Sequence, residues 1–445
     1  MSVPLSFGQL SVFRAMQVMP LDRWSETYLT NVIPLPSGCT AGDVTAALEG
    51  LAQRHESLRT SFFDTPHGPR QTVSTVGRVE LRSVDLPGCA VDEVWTLSRD
   101  WCRPRFDWEA GSCWRAVIVT DHGTPAFLTY VGDHIVSDGW GLHRLAAEVR
   151  AMLGAGSEAD HESLAEAPVR PRDLAVDQRS DLWQPRRMTT GRYWEGLLRD
   201  LPSDVFPWPV PAPDDAGRIG AVLRSGRGRW ALGRAAHRIG ASPHSVLLAL
   251  YAVAARQVLG VDDLALTLQS GNRRELPWRN VVSSMNQYAP LPLVGAPVTG
   301  EFAVMARWMH QASRTAYSHG MYDVDVARDL VERERGVELT FDCFFNYLAR
   351  DIRPQDDGAG QPGDLAAAVV ERVHPNRQVG PRLDMMVRGG AALEVTVRVD
   401  PTLLPGEQLD RLMLWIDDEL WALATSEQSS LDAVAQRCVE VQAQR

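Results

Sequence analysis

Two hydrophobic periods alternate along this chain, and a chain that changes period repeatedly is built from helices layered on sheets. Helical spacing runs from Asp43 to Thr60, where Val44, Ala47, Leu48, Leu51 and Leu58 form one stripe behind Thr40 as a cap. It returns from Leu142 (LHRLAAEVRAML) and from Ser242 to Val258, with Ser242 as cap and Pro243 at the first helical position. A last long helix is predicted over Pro405 to Thr425, with Leu409, Leu412, Leu414, Ile416 and Leu420 as its apolar contacts. Strands are predicted at residues 125 to 131 (PAFLTYV), 262 to 270 (DDLALTLQS), Asp342 to Leu348 and Ala392 to Val399. The fold class is therefore α/β, with an α/β layer structure in each half.

Between Gly154 and Gln184 the pattern dissolves into Ala, Pro and charge, which reads as a linker with one short helix. The division is a first lobe over 1–165, a linker over 166–190 and a second lobe over 191–445. Residues 353 to 363 (RPQDDGAGQPG) read as a mobile loop by composition. A chain of 445 residues, 44% hydrophobic and 23% charged, buries enough surface to fold without staples.

Charge and composition exclude several functions. The net charge of −11 opposes a polyanionic partner, so no nucleic acid is expected. All 45 basic residues are arginine, which removes Schiff-base and lysine-base chemistry. Six cysteines without CxxC spacing read as reduced thiols, with no zinc or other metal site. Residues 1 to 20 lack the form of a signal peptide and nowhere do 18 apolar residues run together, so a cytoplasmic protein without membrane contact is expected.

GxSxG, GxxxxGK[ST], HExxH and a strand-linked GxGxxG are all missing. The most polar cluster of the first third is Asp133, His134, Ile135, Val136, Ser137, Asp138 and Gly139, set between a buried strand and a helix. A histidine there can accept a proton at neutral pH, Asp138 can orient the loop, and Gly139 lets backbone N–H approach a substrate oxygen. From this segment alone, His134 is equally well a satisfied loop histidine and Asp138 a helix cap.

Other segments decide between these readings. RHESLRTSF (residues 54 to 62), DHIVSDG and the opening LSFGQLSVF resemble, in this order, the signatures of the condensation domains of nonribosomal peptide synthetases, which carry RHExLRTxF and HHxxxDG. RPRDLAVDQ (Arg170 to Gln178), SGNRREL (Ser270 to Leu276), VVSSMNQYAPL (Val281 to Leu291), FFNYL and LEVTVRVDPTLLP are similar to later stretches of that family, more loosely. The resemblance implies two chloramphenicol acetyltransferase-like lobes in a V-shaped pseudo-dimer with a tunnel between them. It implies an acyltransferase that joins a carrier-bound acyl or aminoacyl thioester to an amine, forming an amide in nonribosomal peptide or related antibiotic biosynthesis. No cofactor is implied beyond the phosphopantetheine arm of a carrier protein.

By the same resemblance His134 and Gly139 are the catalytic positions, His134 as base or positioning group and Gly139 as backbone oxyanion support. Asp138 matches the structural aspartate. A buried carboxylate is costly unless paired, and of Arg273 and Arg59 we expect Arg273 to be its partner. Asp133 replaces the family's first histidine and is expected to point away from the tunnel, bonded to backbone or an arginine, while His134 points in. Trp140, Asn286 and Asn346 are candidates to line the substrate tunnel, while His310 and His319 are assigned nothing.

Asp133 and Asp138 also fit the DxxxxD spacing of the heterocyclisation subfamily, but that subfamily has a serine where this chain has Gly141, and it lacks a counterpart of His134. An ester-forming acyltransferase and a catalytically silent docking module remain as alternatives. With no adenylation or carrier segment fused, the chain resembles a free-standing enzyme served by carrier proteins in trans. Its acceptor is then a small-molecule amine or a second carrier-bound group, and Arg186 and Arg187 are possible carrier contacts.

Overall fold

A computed structural model describes residues 2–77, 79–166, 168–201, 217–274, 278–355, 365–375, 377–426 and 429–443. Most of the loop expected at 353–363 lies outside the described residues. The chain forms two compact units. The first comprises Met1–Met188, Gly271–Gln287 and Met321–Val324, and the second Thr189–Ser270, Tyr288–Gly320 and Asp325–Arg445.

In the first part of the chain the elements are β1 (Val3–Pro4), α1 (Phe7–Val18), β2 (Leu29–Pro34), α2 (Ala41–Arg54), β3 (Thr60–Phe63), β4 (Arg70–Val73) and β5 (Glu80–Asp85). Then come α3 (Val91–Cys102), β6 (Trp114–Asp121), β7 (Thr124–Gly132), α4 (Gly139–Met152), α5 (Glu158–Ala165) and α6 (Pro171–Asp177). The main sheet has the order β2-β7-β6-β5, antiparallel except for the parallel β5/β6 pair; β1, β4 and β3 make a second, antiparallel sheet. On one face of the main sheet, Val44, Leu48 and Leu51 of α2 and Leu145 and Val149 of α4 pack with Ile33, Ala116, Ile118 and Leu128. Val94 of α3 packs on the other face against Val32 and Val119. The predicted helix 43–60 stops at Arg54. Beyond it the Leu58 carbonyl accepts the Trp114 indole N–H at 2.8 Å, and the chain turns into β3.

The stretch expected to be a linker with one short helix holds two. Ser157 caps α5 with a capping box closed by Asp160, and Pro171 stands at the start of α6.

The second unit is built on a seven-stranded sheet. Its elements are α7 (Gln184–Asp200), which begins in the first unit, then β8 (Ile219–Ser225), α8 (Gly226–Ile239), α9 (Pro243–Leu259), β9 (Ala265–Ser270) and β10 (Gln287–Pro292). They continue with α10 (Phe302–Ser318), α11 (Val324–Arg335), β11 (Phe344–Tyr347), β12 (Val369–Val373), β13 (Leu383–Arg388), β14 (Leu393–Val399), α12 (Gly406–Thr425) and α13 (Leu431–Ala443). The strand order is β10-β9-β11-β13-β14-β8-β12, with β11 parallel to both neighbours. Ser242 caps α9, most of which is buried. On α12 the buried stripe is Leu409, Leu412, Met413, Ile416, Leu420 and Leu423; Leu414, expected among the contacts, is 43% exposed because it falls off that stripe. Among the described residues no helix is long and apolar enough to cross a membrane.

Candidate active site

The polar loop begins where β7 runs out. Gly132 ends the strand, and a Cβ there would lie 2.5 Å from the Tyr130 hydroxyl, so only glycine lets the strand close over that ring. Asp133 N–H still donates to the Cys113 carbonyl at 2.9 Å, and Val136 N–H donates back to the Asp133 carbonyl at 3.2 Å, closing a turn. At the far end Asp138 is the N-cap of α4, its Oδ1 accepting from Gly141 N–H at 2.9 Å.

Asp138 is fully buried and does more than cap. Arg273 Nη2 donates to its Oδ1 at 2.7 Å and its Oδ2 at 2.8 Å, and Met285 N–H donates to Oδ2 at 3.1 Å. The same guanidinium donates to the carbonyls of Arg279 (3.0 Å), Val281 (2.8 Å) and Ser283 (3.2 Å). One carboxylate and one guanidinium thus tie the loop and the start of α4 to the segment 279–285. Arg59, the other arginine considered for Asp138, donates instead to the backbone carbonyl of Ser74.

Asp133 is also fully buried, but its partners are neutral. Its Oδ2 accepts from the Trp108 indole N–H at 2.8 Å and its Oδ1 from Ile135 N–H at 2.9 Å. Burial pushes this carboxyl up to about 6, against the opposing pull of those two donors. Trp108 is itself set in an aromatic group with Phe13, Trp24 and Phe62. The aromatic end of LSFGQLSVF therefore supports the residue that orients Asp133.

Between the two carboxylates, His134 is partly exposed while every other side chain from 133 to 138 is buried. Its Nδ1 lies 3.3 Å from Ser284 Oγ, on the segment that Asp138 and Arg273 hold. Gly139 is exposed and a Cβ there would meet nothing. Gly141 is the constrained glycine: a Cβ at 141 would lie 2.7 Å from Ser137 Oγ and 3.6 Å from the Val282 Cα. Trp140 and Asn286 are half-buried residues of this first unit, whereas Asn346 belongs to β11 of the second.

The remaining signatures brace this unit. In the RHE stretch, Glu148 of α4 takes Arg54 Nε at 2.9 Å, His55 Nε2 at 2.7 Å and Arg144 Nε at 2.9 Å. Burial raises the Glu148 carboxyl, but the His55 hydrogen bond and the charges of Arg54 and Arg144 outweigh it and leave it below its ordinary value. Burial lowers His55, against the opposing pull of the Glu148 hydrogen bond and charge. Glu56 pairs with Arg172 at 3.0 Å, and Gln178 Oε1 accepts from Phe7 N–H at 2.8 Å, joining the motif near 170–178 to the first helix. Gly8 is needed on that helix because a Cβ would strike the Ser284 carbonyl and lie 2.7 Å from Met285 Cα.

Sequence reasoning did not single out Trp108 or Ser284. Serine carries no local signal, and each of these residues meets its partner only through the fold, Ser284 across 150 positions.

Comparison with known proteins shows which family this strand-loop-helix arrangement belongs to. The family model for the condensation domain matches residues 4–367, and the chain belongs to that family. It is similar to chondramide synthase of Chondromyces crocatus, 30% identical over 293 residues, covering 61% of this chain and 7% of that protein. It is also similar to phosphinothricin tripeptide synthetase of Streptomyces viridochromogenes, 28% identical over 280 residues, covering 61% of this chain and 26% of that protein. The matched stretch is thus a small part of these much longer relatives. Among solved structures, the condensation domain of monacolin K polyketide synthase superimposes with a TM-score of 0.75 at 17% identity, over 97% of this chain and 99% of that one. The first condensation domain of the calcium-dependent antibiotic synthetase does so with a TM-score of 0.71 at 20% identity, over 97% and 98%. These likenesses establish the condensation-domain fold.

Proposed function

We propose that this domain joins a carrier-bound acyl or aminoacyl thioester to an amine, making an amide in the assembly of a nonribosomal peptide or related natural product. The observation that carries this reading is the loop itself: two buried carboxylates fix its ends, and His134 is the one side chain between them that reaches solvent. In the proposed reaction the amine nitrogen attacks the thioester carbonyl while His134 accepts or directs the amine proton. Negative charge that develops on the carbonyl oxygen is met by backbone N–H around Gly139, at the N-terminus of α4. Collapse breaks the C–S bond, and the phosphopantetheine thiol leaves with a proton. Asp138 and Arg273 hold the loop and take no part in proton transfer. Trp140, Asn286 and Asn346 remain candidates for contact with substrate.

The experiment is mass spectrometry of a carrier-bound acyl thioester incubated with this protein and a panel of amines and matched alcohols. Amide that forms only with protein supports the proposal. Ester from the alcohols alone would move the domain to the ester-forming reading, and no product across the panel, with the thioester intact, would favour a docking module.

A further inference from the structure

We propose that Asn272 is a positioning residue for the loop that carries His134, acting through both donors that hold Asp138 Oδ2; its kinetic consequence rests on the acyl-transfer reading above. Those donors are Arg273 Nη2 at 2.8 Å and Met285 N–H at 3.1 Å. Asn272 is joined to each. Arg273 is the next residue along the chain, and the Asn272 side chain lies 2.9 Å from the Met285 carbonyl oxygen. A carbonyl oxygen only accepts, so the group that faces it is the amide Nδ2–H. The same nitrogen lies 3.4 Å from Gln287 Oε1, and Gln287 in turn donates to Ser11 Oγ at 2.9 Å and to the Tyr322 carbonyl at 2.7 Å.

The backbone of Asn272 is left-handed, with φ at 50°. Such a residue turns the chain sharply and redirects the side chain that follows, at an energetic cost that asparagine bears better than most residues with a Cβ. At 272 the turn has a definite product. The buried Arg273 side chain reaches Asp138 and the carbonyls of Arg279, Val281 and Ser283 at once. A guanidinium carries its donors in a rigid fork, so a set of bonds like this depends on the direction from which the side chain enters. One residue thus aims the arginine with its backbone and pins Met285 with its amide. Asp138, held at Oδ2 by both, fixes the start of α4 and the loop before it.

The two roles separate in Asn272→Gly, which keeps access to the left-handed conformation and loses the amide, whereas Asn272→Ala gives up both. The test is hydrogen–deuterium exchange of the full chain, read on peptides covering 139–142, where Gly141 N–H donates to Asp138 Oδ1, and 283–287, where Met285 N–H donates to Oδ2. Asn272→Ala is expected to speed exchange about five- to tenfold in both peptides. Asn272→Gly is expected to speed it in 283–287 alone. In the product assay Asn272→Ala is expected to lower kcat, by less than the roughly 10²-fold minimum for removing the base itself, with KM held, and Asn272→Gly to recover most of that loss. Should Asn272→Ala fail to fold, Asn272→Asp, which tolerates the left-handed conformation but has no donor when ionised, is expected to match Asn272→Gly in both readouts. Fast exchange of 139–142 in the glycine or aspartate variant, or an alanine variant that exchanges like the parent, overturns the proposal. So does the expected exchange with turnover unchanged in an active domain. Because exchange needs no substrate, the expected pattern in a domain that makes no product supports the Asn272 tether and counts against the acyl-transfer reading.

Discussion

Asp133 and Asp138 stand five residues apart in one loop, and both are shut off from water. Their surroundings differ in kind. Asp138 accepts from a guanidinium and two backbone N–H groups, so burial of its charge is offset. Asp133 has an indole and one backbone N–H and, among the described residues, no ion-pair partner, and its carboxyl rises to about 6. The contrast teaches that the family signature and this chain's departure from it are answered separately. The shared aspartate is locked into the scaffold through a distant arginine, while the substituted aspartate is buried against an indole and a backbone N–H, where burial favours its protonated form.

The largest stability effect is expected at the paired end. Asp138→Ala leaves Arg273 buried without its carboxylate and removes the cap of α4, and loss of one partner of a buried pair costs about 3 to 5 kcal/mol. Calorimetry should show a clear drop in Tm together with lost turnover. An Asp138→Ala variant that melts like the parent and loses only turnover would undo the structural assignment.

At the unpaired end the effect depends on pH. The folded carboxyl lies at about 6 against an ordinary value of 3.8, so between those values the folded state keeps a proton that the unfolded chain has released. Stability from this group is therefore complete below pH 4 and is lost as pH rises through 6, by about 3 kcal/mol in all. Asp133→Asn removes that loss. Its unfolding free energy in urea, relative to the parent, should rise between pH 4 and pH 6.5 and then level. A difference independent of pH would mean that Asp133 is not buried as a near-neutral acid.

Smaller still is the expected cost of Gly141→Ser, which introduces the serine of the heterocyclisation pattern. The new Cβ lies 2.7 Å from the buried Ser137 Oγ, so Ser137 has to turn away, at about 1 to 3 kcal/mol. A fully stable Gly141→Ser protein that gained cyclisation would blur the distinction between the two ends of the loop.

The smallest effect is expected on the surface. Arg187 is engaged by the Gln178 and Ser180 carbonyls at 2.8 and 2.9 Å, while exposed Arg186 stacks over Trp183 at 4.7 Å. If a carrier protein docks near here, Arg186→Ser should weaken binding by no more than about 1 kcal/mol and reduce its dependence on salt. Binding unchanged at every ionic strength would remove Arg186 from the contact.

Much of this was legible from the residues. The loop stood out because an apolar run, a polar cluster and a helical stripe followed one another, and those signals are local. The helix expected at 43–60 overran because its stripe continues to Leu58, whereas the chain is turned earlier by tertiary bonds: His55 to Glu148, Glu56 to Arg172 and Trp114 to the Leu58 carbonyl. The region before 184 read as linker because α5 and α6 have few apolar positions, although Ser157 and Pro171 were capping signals in plain view. The partners Trp108 and Ser284 had no local signal to read.

The central claim is a division of labour in which His134 acts while the carboxylate beside it is set aside. It is tested most directly by measuring turnover of a carrier-bound thioester with folded His134→Ala and Asp133→Asn proteins side by side. His134→Ala should lose about 10²- to 10⁴-fold in rate, and Asp133→Asn should stay near the parent. A His134→Ala protein that keeps most of its activity beside an inactive Asp133→Asn would contradict the account and point to aspartate-dependent, cyclisation-like chemistry.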